Sequence, residues 1–239
     1  MEYLERAASL LGDEAVDRLQ RSHVAVFGLG GVGSWCAEAL ARSGVGTLTL
    51  IDEDTVSESN INRQLCAGLN TLGKPKAEVL ARRLSETVPG ITVYPLQKHY
   101  CAETREEFFV EPYSFAADCI DLVSCKLDLI ETCLARDIPI ISALGTGNKK
   151  DASLLRITDI SKTEGCPFAR IIRKELRARG IQRLPVVFSP EQACECEQRS
   201  APPPGRRSVP GSLVWVPASA GMLMAQHIVL SLCGNEKEI

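Results

Sequence analysis

The chain has 239 residues, enough for one large α/β domain with a sizeable buried core. Its formal net charge of −3 excludes a general attraction to nucleic acid, so any basic surface must be local. Ten cysteines at irregular spacing include no C-x-x-C pair, and no apolar run reaches the roughly 20 residues of a membrane span.

The opening "MEYLERAASLLGDEA" is acidic and amphipathic and lacks the apolar centre of a secretion signal. This predicts reduced thiols and a cytoplasmic protein. Residues 2–21 read as helix. An apolar strand at 24–28, a glycine turn, a helix at 33–43 and a strand at 47–52 form a βαβ unit. Residues 53–73 are polar and irregular, a loop with short helical turns. A helix follows at "KPKAEVLARRLSETV", then a strand at "ITVYPLQ", a short helix at "TREEFFVE" and a strand at "FAADCID". The helix "CKLDLIETCLARD" and the strand "PIISALG" complete an alternation that predicts a doubly wound, mostly parallel sheet up to residue 146.

Residues 147–239 read as a C-terminal extension of the same domain. Strands at "LLRITDIS" and "PVVFS" flank a basic helix, "PFARIIRKELRARG". Residues 197–212 are rich in proline, glycine and serine and predict an exposed, mobile loop. "LVWVPASAGMLMAQHIVLSLC" closes the chain as a strand and a packed helix, with a peripheral membrane contact of that helix left open.

"GLGGVG" carries the chemistry. Gly28 suits a tight turn, Gly30 a close approach of phosphate to the backbone, and Gly33 the packing of helix on strand. The helix N-terminus offers unpaired N–H groups to phosphate. Asp52, at the end of the second strand, is placed to accept hydrogen bonds from a ribose. The polar and charged residues beyond Asp52 separate two nucleotides. Asn60 and Arg63 lie in the next loop, Lys74 and Lys76 at the next helix start, and Asp118 and Asp121 at a strand's carboxyl end. Hydride transfer needs none of these charges. A reaction at phosphorus uses cations on the phosphate oxygens and a carboxylate for magnesium. Singly, each could be an ordinary surface charge; after successive strands, they favour ATP.

The segments "GLGGVG", "LTLIDEDTVSESNINRQ", "GKPKAE" and "DCID" resemble the ThiF/MoeB superfamily, relatives of the ubiquitin-activating enzymes, which adenylate a carboxylate with ATP. "SALGTGNKKD", "ITDISKTEGCPFARIIRKELR" and "VWVPASAGMLMA" extend the similarity to one branch, the tRNA threonylcarbamoyladenosine dehydratases. The resemblance implies a Rossmann-like adenylating fold in a single domain. It also implies that Gly28, Gly30, Gly31 and Gly33 bind the phosphates, Asp52 the ribose, and Asn60, Arg63, Gln64 and Lys76 the phosphates again. Asp121 would bind magnesium or orient the α-phosphate. Arg6 would reach the partner's ATP site in a homodimer. Arg63, Lys76, Asp121 and Arg6 are thus the catalytic candidates, with ATP and Mg2+ as cofactors and no zinc.

The implied reaction is dehydration of threonylcarbamoyladenosine next to the anticodon in tRNA. Its carboxylate attacks the α-phosphorus of ATP, pyrophosphate leaves, and a group on the same nucleoside closes a ring and expels AMP. Proximity supplies the second step. For RNA, "ARIIRKELRARGIQR" provides Arg170, Arg173, Lys174, Arg177, Arg179 and Arg183 against one acid, Glu175, with Arg206 and Arg207 in the loop beyond. A solvated helix face is the bland alternative. No general base is evident, and His23, His99 and His227 receive no role. Cys166 stands where many relatives have an acid, and Cys194 and Cys196 are unassigned. Three rivals remain: an activator of a sulfur-carrier protein, an NAD-dependent dehydrogenase, and a non-catalytic member of the superfamily. Other protein partners, sulfur-relay proteins among them, are not readable.

Overall fold

The alternating apolar runs become seven strands of one sheet, in a computed structural model that describes residues 1–197 and 209–234. Most of the loop expected at 197–212, including Arg206 and Arg207, lies outside the described residues. The strands are β1 (His23–Phe27), β2 (Thr47–Ile51), β3 (Thr92–Leu96), β4 (Phe115–Asp118), β5 (Ile140–Ala143), β6 (Arg156–Asp159) and β7 (Pro185–Phe188). Their order is β3-β2-β1-β4-β5-β7-β6, parallel except for β6 against β7. The order reverses between β1 and β4, and ligands bind at such a point beyond the strands' carboxyl ends.

Helices cover both faces, so the central strands read as continuous apolar runs. The helices are α1 (Glu5–Leu11), α2 (Asp13–Arg21), α3 (Gly33–Arg42), α4 (Lys76–Thr87), α5 (Val123–Ala135), α6 (Pro167–Ala178) and α7 (Trp215–Leu232). One core lies among α3, α4 and α7, built from residues such as Leu40, Leu80, Met224 and Ile228. The other lies under α5 and α6, with Phe27, Phe108, Ile130, Ile172 and Leu176.

Two expectations are corrected. Residues 2–21 form two helices rather than one, because Gly12 takes φ +87° between α1 and α2. No strand forms at 213–216. Trp215 and Val216 open α7, and Pro217 falls in its first turn, where a missing N–H costs nothing. By length and composition α7 alone among the described helices could cross a bilayer. It packs along α3, where a Cβ at Gly221 would lie 2.4 Å from the Val32 carbonyl oxygen.

Candidate active site

The glycine loop bridges β1 and α3 beneath the switch point. Gly28 has φ +87°, and a Cβ there would stand 2.9 Å from the Cys119 carbonyl oxygen. Gly33 opens α3 with its Cα against Gly28; a Cβ would fall 1.8 Å from the Gly28 oxygen. Both positions therefore need glycine. Over Gly30 a Cβ would meet only the Gln64 Nε2, at 3.9 Å, so the space there is not taken by packing. Gly31 differs: Pro217 of α7 lies 3.1 Å from its Cβ position and Arg63 Cγ 3.5 Å, so this glycine also admits α7. No side chain caps α3; in its first turn the Ser34 N–H donates to the Gly30 carbonyl at 3.2 Å, and the helix end still presents its positive dipole to an anion.

Asp52 directly follows β2, beside this loop. Its Oδ2 accepts from the Leu29 N–H at 2.6 Å and its Oδ1 from the Asp54 N–H at 2.9 Å. Burial pushes its carboxyl up, and the nearby Lys76 ammonium pulls it back. Lys76 Nζ is 2.7 Å from Asp54 Oδ2 and 4.0 Å from Asp52 Oδ1. The lysine is buried among these acids rather than aimed outward, and reaching a phosphate would exchange Asp54 for it.

The loop after β2 carries the other candidates. Asn60 Oδ1 accepts the Ser57 N–H at 3.1 Å and caps a short turn. Arg63 is half-buried, Nη1 donating to Ser59 O at 2.7 Å and Asn62 Oδ1 at 3.0 Å. Burial lowers its guanidinium from its ordinary value, far above neutrality, so the charge is kept. Trp35 Nε1 of α3 donates to the Arg63 carbonyl at 3.1 Å and holds the turn against the glycine loop. Gln64 is buried, and its Oε1 has no partner. An orphaned amide over an open glycine loop fits a site shaped for a ligand rather than for packing.

Beyond β4 the two acids part company. Asp118 is wholly buried: Oδ2 accepts from Lys126 Nζ and Ser142 Oγ, each at 2.6 Å, and Oδ1 from the Ile120 N–H at 3.1 Å. It shapes the turn from below and is not a ligand-facing acid. Asp121 is exposed on that turn. Among the described residues no group of three or more His, Cys, Asp or Glu is placed to hold a metal. A single carboxylate suits magnesium, which takes most of its oxygens from phosphate and water.

Other candidates lie apart. Arg6 is exposed on α1, whose preceding Leu4 packs on Gly44 before β2, at the sheet's amino end. On α6, Arg170, Lys174 and Arg177 are exposed, while Arg173 Nη1 donates to Thr163 O at 2.6 Å and to Thr163 Oγ1 at 2.5 Å. Arg179 pairs with Glu175 and Glu131, and Arg183 is exposed beyond α6. Lys74 is exposed before α4, where its carbonyl accepts the Val56 N–H. Cys166 is buried at the α6 N-cap, Cys194 half-buried and Cys196 exposed; all three are free thiols. His23 Nε2 lies 2.8 Å from Thr49 Oγ1, His99 Nδ1 2.7 Å from Glu53 Oε1, and His227 meets Phe115 edge-on.

The sequence reading missed Lys126 and Pro217. Lys126 was findable: it stands one and two turns before Ile130 and Cys133 on an otherwise apolar stripe. Pro217 acts through a distant loop, and no local pattern marks it.

The ThiF family model matches residues 3–239. The chain is 40% identical over 236 residues to the tRNA threonylcarbamoyladenosine dehydratase of Bacillus subtilis, covering 93% of this chain and 91% of that protein. It is 35% identical to the sulfur carrier protein ThiS adenylyltransferase of Escherichia coli over only 58% of this chain and 56% of that protein. The crystal structure of the E. coli tRNA N6-threonylcarbamoyladenosine dehydratase in complex with ATP superposes with a TM-score of 0.87 at 32% identity, covering 98% of this chain and 94% of that one.

Proposed function

The chain belongs to the ThiF family, and on that premise we infer that it dehydrates threonylcarbamoyladenosine in tRNA, using ATP to activate the threonyl carboxylate. The observation that carries this is similarity over nearly the whole of both chains to a dehydratase, against half-length similarity to a sulfur-carrier activator. The absence of any C-x-x-C pair from the sequence agrees. The dehydrogenase alternative falls with the family.

In this reading the α3 N-terminus and the backbone above Gly30 take the phosphates, and Asp52, held by the Leu29 N–H, takes the ribose. The substrate carboxylate attacks the α-phosphorus in line, with pyrophosphate leaving toward Arg63 and Lys76. These cations offset the charge that grows on the phosphate oxygens. A carboxylate oxygen is a poor leaving group and AMP a good one. A nucleophile on the same nucleoside then closes the ring and releases AMP, with no protein nucleophile required. A magnesium held by Asp121 would neutralise the phosphates. Arg6 would complete the site from a second copy; the Leu4 that precedes its helix packs on Gly44, at the sheet's amino end. The assembly we propose is a cytoplasmic homodimer of single-domain subunits, with peripheral membrane contact through α7 as an open property.

The test is incubation with ATP, magnesium and tRNA carrying the modified nucleoside, followed by nucleoside mass analysis. Loss of one water is the expected result. An unchanged mass with competent tRNA would refute the reading. Pyrophosphate exchange that required a Gly-Gly-ended protein instead would favour the sulfur-carrier activator.

A further inference from the structure

Among the described residues three aromatic side chains are exposed: Tyr3 at 38%, Tyr94 at 52% and Trp215 at 50%. Tyr3 lies in the first turn of the chain, and Tyr94 lies midway along edge strand β3, opposite Thr49. Only Trp215 stands at the carboxyl end of the sheet. Contacts of two neighbouring residues bring its segment to the nucleotide loop, and a third contact holds the ring itself. Asn62 Nδ2, next to Arg63, donates to Ser212 O at 3.1 Å. Pro217, two residues past Trp215 in α7, packs against Gly31. Trp215 Nε1 donates to Lys150 O at 2.7 Å.

That last bond fixes the edge of the indole while half of the residue stays in solvent. A large apolar ring left exposed and yet held still loses burial and gains rigidity. It presents a flat face without a further entropy cost on binding. The charge beside the ring is mixed, since Glu191 accepts from the Lys150 and Asp151 N–H groups at 2.9 and 3.1 Å, and it becomes positive only along α6. Lys150 is exposed beside the ring, and the same loop reaches α6 through Gly145, whose Cβ position is 3.4 Å from Phe168. From there Arg170, Lys174 and Arg177 lead away along one stripe of α6. An aromatic face at the start of a cationic track is the arrangement that receives an unpaired base and its phosphates.

We propose that Trp215 is a stacking platform for an unpaired nucleobase of the tRNA substrate, adjacent to the nucleoside whose carboxylate enters the ATP site. This rests on the dehydratase reading and adds a binding residue to it. The role is recognition: the indole touches RNA and no reacting atom.

The experiment compares Trp215→Ala, Trp215→Leu and Trp215→Phe in the full-length protein with modified tRNA, with KM for tRNA and for ATP read separately. Loss of one stacked base predicts a rise of about tenfold in the KM for tRNA for the alanine variant. The KM for ATP stays within about twofold, because ATP does not use the indole. Phenylalanine, which keeps an aromatic face and gives up the Lys150 bond, restores most of the loss; leucine does not. An unchanged KM for tRNA in Trp215→Ala overturns the platform, as does equal rescue by leucine. A change of oligomeric state in sedimentation, with the loss of tRNA affinity tracking it, also overturns it, since the ring would then cover a second copy. If the wild type binds ATP but no tRNA, the dehydratase reading fails and takes the platform with it. If the wild type works and the alanine variant is unimpaired, only the platform fails.

Discussion

Lys126 donates to the Asp118 carboxylate at 2.6 Å, and neither side chain has any exposed surface. Burying two charges is expensive, and a pair of this kind is weak evidence for stability. Its visible effect is geometric. The second Asp118 oxygen holds the Ile120 N–H, and the adjoining Cys119 carbonyl lies against Gly28. One ion pair therefore fixes both the turn that carries Asp121 and one wall of the glycine loop.

Lys126→Met leaves the Asp118 carboxylate buried with only Ser142 and a backbone N–H, and should cost about 3–5 kcal/mol. Asp118→Asn with Lys126→Met removes both charges, and should recover more than half of that loss. Urea denaturation of the two single variants and the double variant measures the coupling. Additive losses would show that the pair does not act as a unit.

Arg63→Ala should lower the rate of dehydration by about 100-fold or more while leaving the fold in place. Among the described residues the guanidinium bonds Ser59 O and the exposed Asn62, so its removal uncovers no buried partner there. Single-turnover assays with ATP and modified tRNA, together with a thermal melt, separate the two effects. A variant that melts like the wild type and still turns over normally would remove Arg63 from the phosphates.

The parallel sheet was readable because its strands are short apolar runs that alternate with amphipathic helices. Asp52 was readable because a βαβ unit puts an acid at a fixed distance from its glycines. Lys76 and Arg63 were readable as charges, but not as a lysine tied to Asp54 and an arginine turn tied to Trp35. Those ties join segments far apart in sequence, and no local period encodes them. "LVWV" misled for a related reason. Four apolar residues fit a strand as well as a helix start, and the contact of Pro217 with Gly31 decides between them. Asp118 and Asp121 looked equivalent in "DCID", and only burial tells the structural acid from the exposed one.

Alkaline conditions should weaken the fold before they weaken the surface ion pairs. Burial pushes the Cys36 and Cys133 thiols up to about 12 and Cys66 up to about 11. Their ordinary value is 9.0, so between about 9 and these values the unfolded chain loses protons that the folded chain keeps. The stabilisation is fully present below pH 9 and declines as pH rises, by about 1.4 kcal/mol per unit for each thiol. Melts from pH 7 to 11 check the slope. Alkylation at pH 8 should label Cys196 first and leave these three untouched.

Gly221→Ala should act where α7 crosses α3. Its new methyl would stand 2.4 Å from the Val32 oxygen and 2.8 Å from the Cys36 nitrogen, both backbone atoms that cannot turn aside. The helices must separate, at a cost on the order of 1–3 kcal/mol. Because α7 also seats Pro217 on Gly31, the KM for ATP should rise together with the loss of stability. A destabilised variant with normal ATP affinity would show that α7 does not support the loop.

The basic helix divides into residues with different duties, and salt titration can separate them. Arg170, Lys174 and Arg177 occupy one exposed stripe, whereas Arg173 is committed to Thr163. Replacing the three exposed residues by glutamate should weaken tRNA binding. The slope of log affinity against log salt should fall by about 2–3, as expected when up to three phosphate contacts are lost. The melting temperature should hardly change. Arg173→Glu should do the reverse, lowering the melt by removing the donor to Thr163 and leaving much of the salt slope intact. Filter binding between low and physiological salt, with melts of each variant, reads both quantities. An unchanged slope in the triple variant would move the RNA path off α6. The Arg173 result would still stand, because it depends on a contact inside the protein and not on RNA.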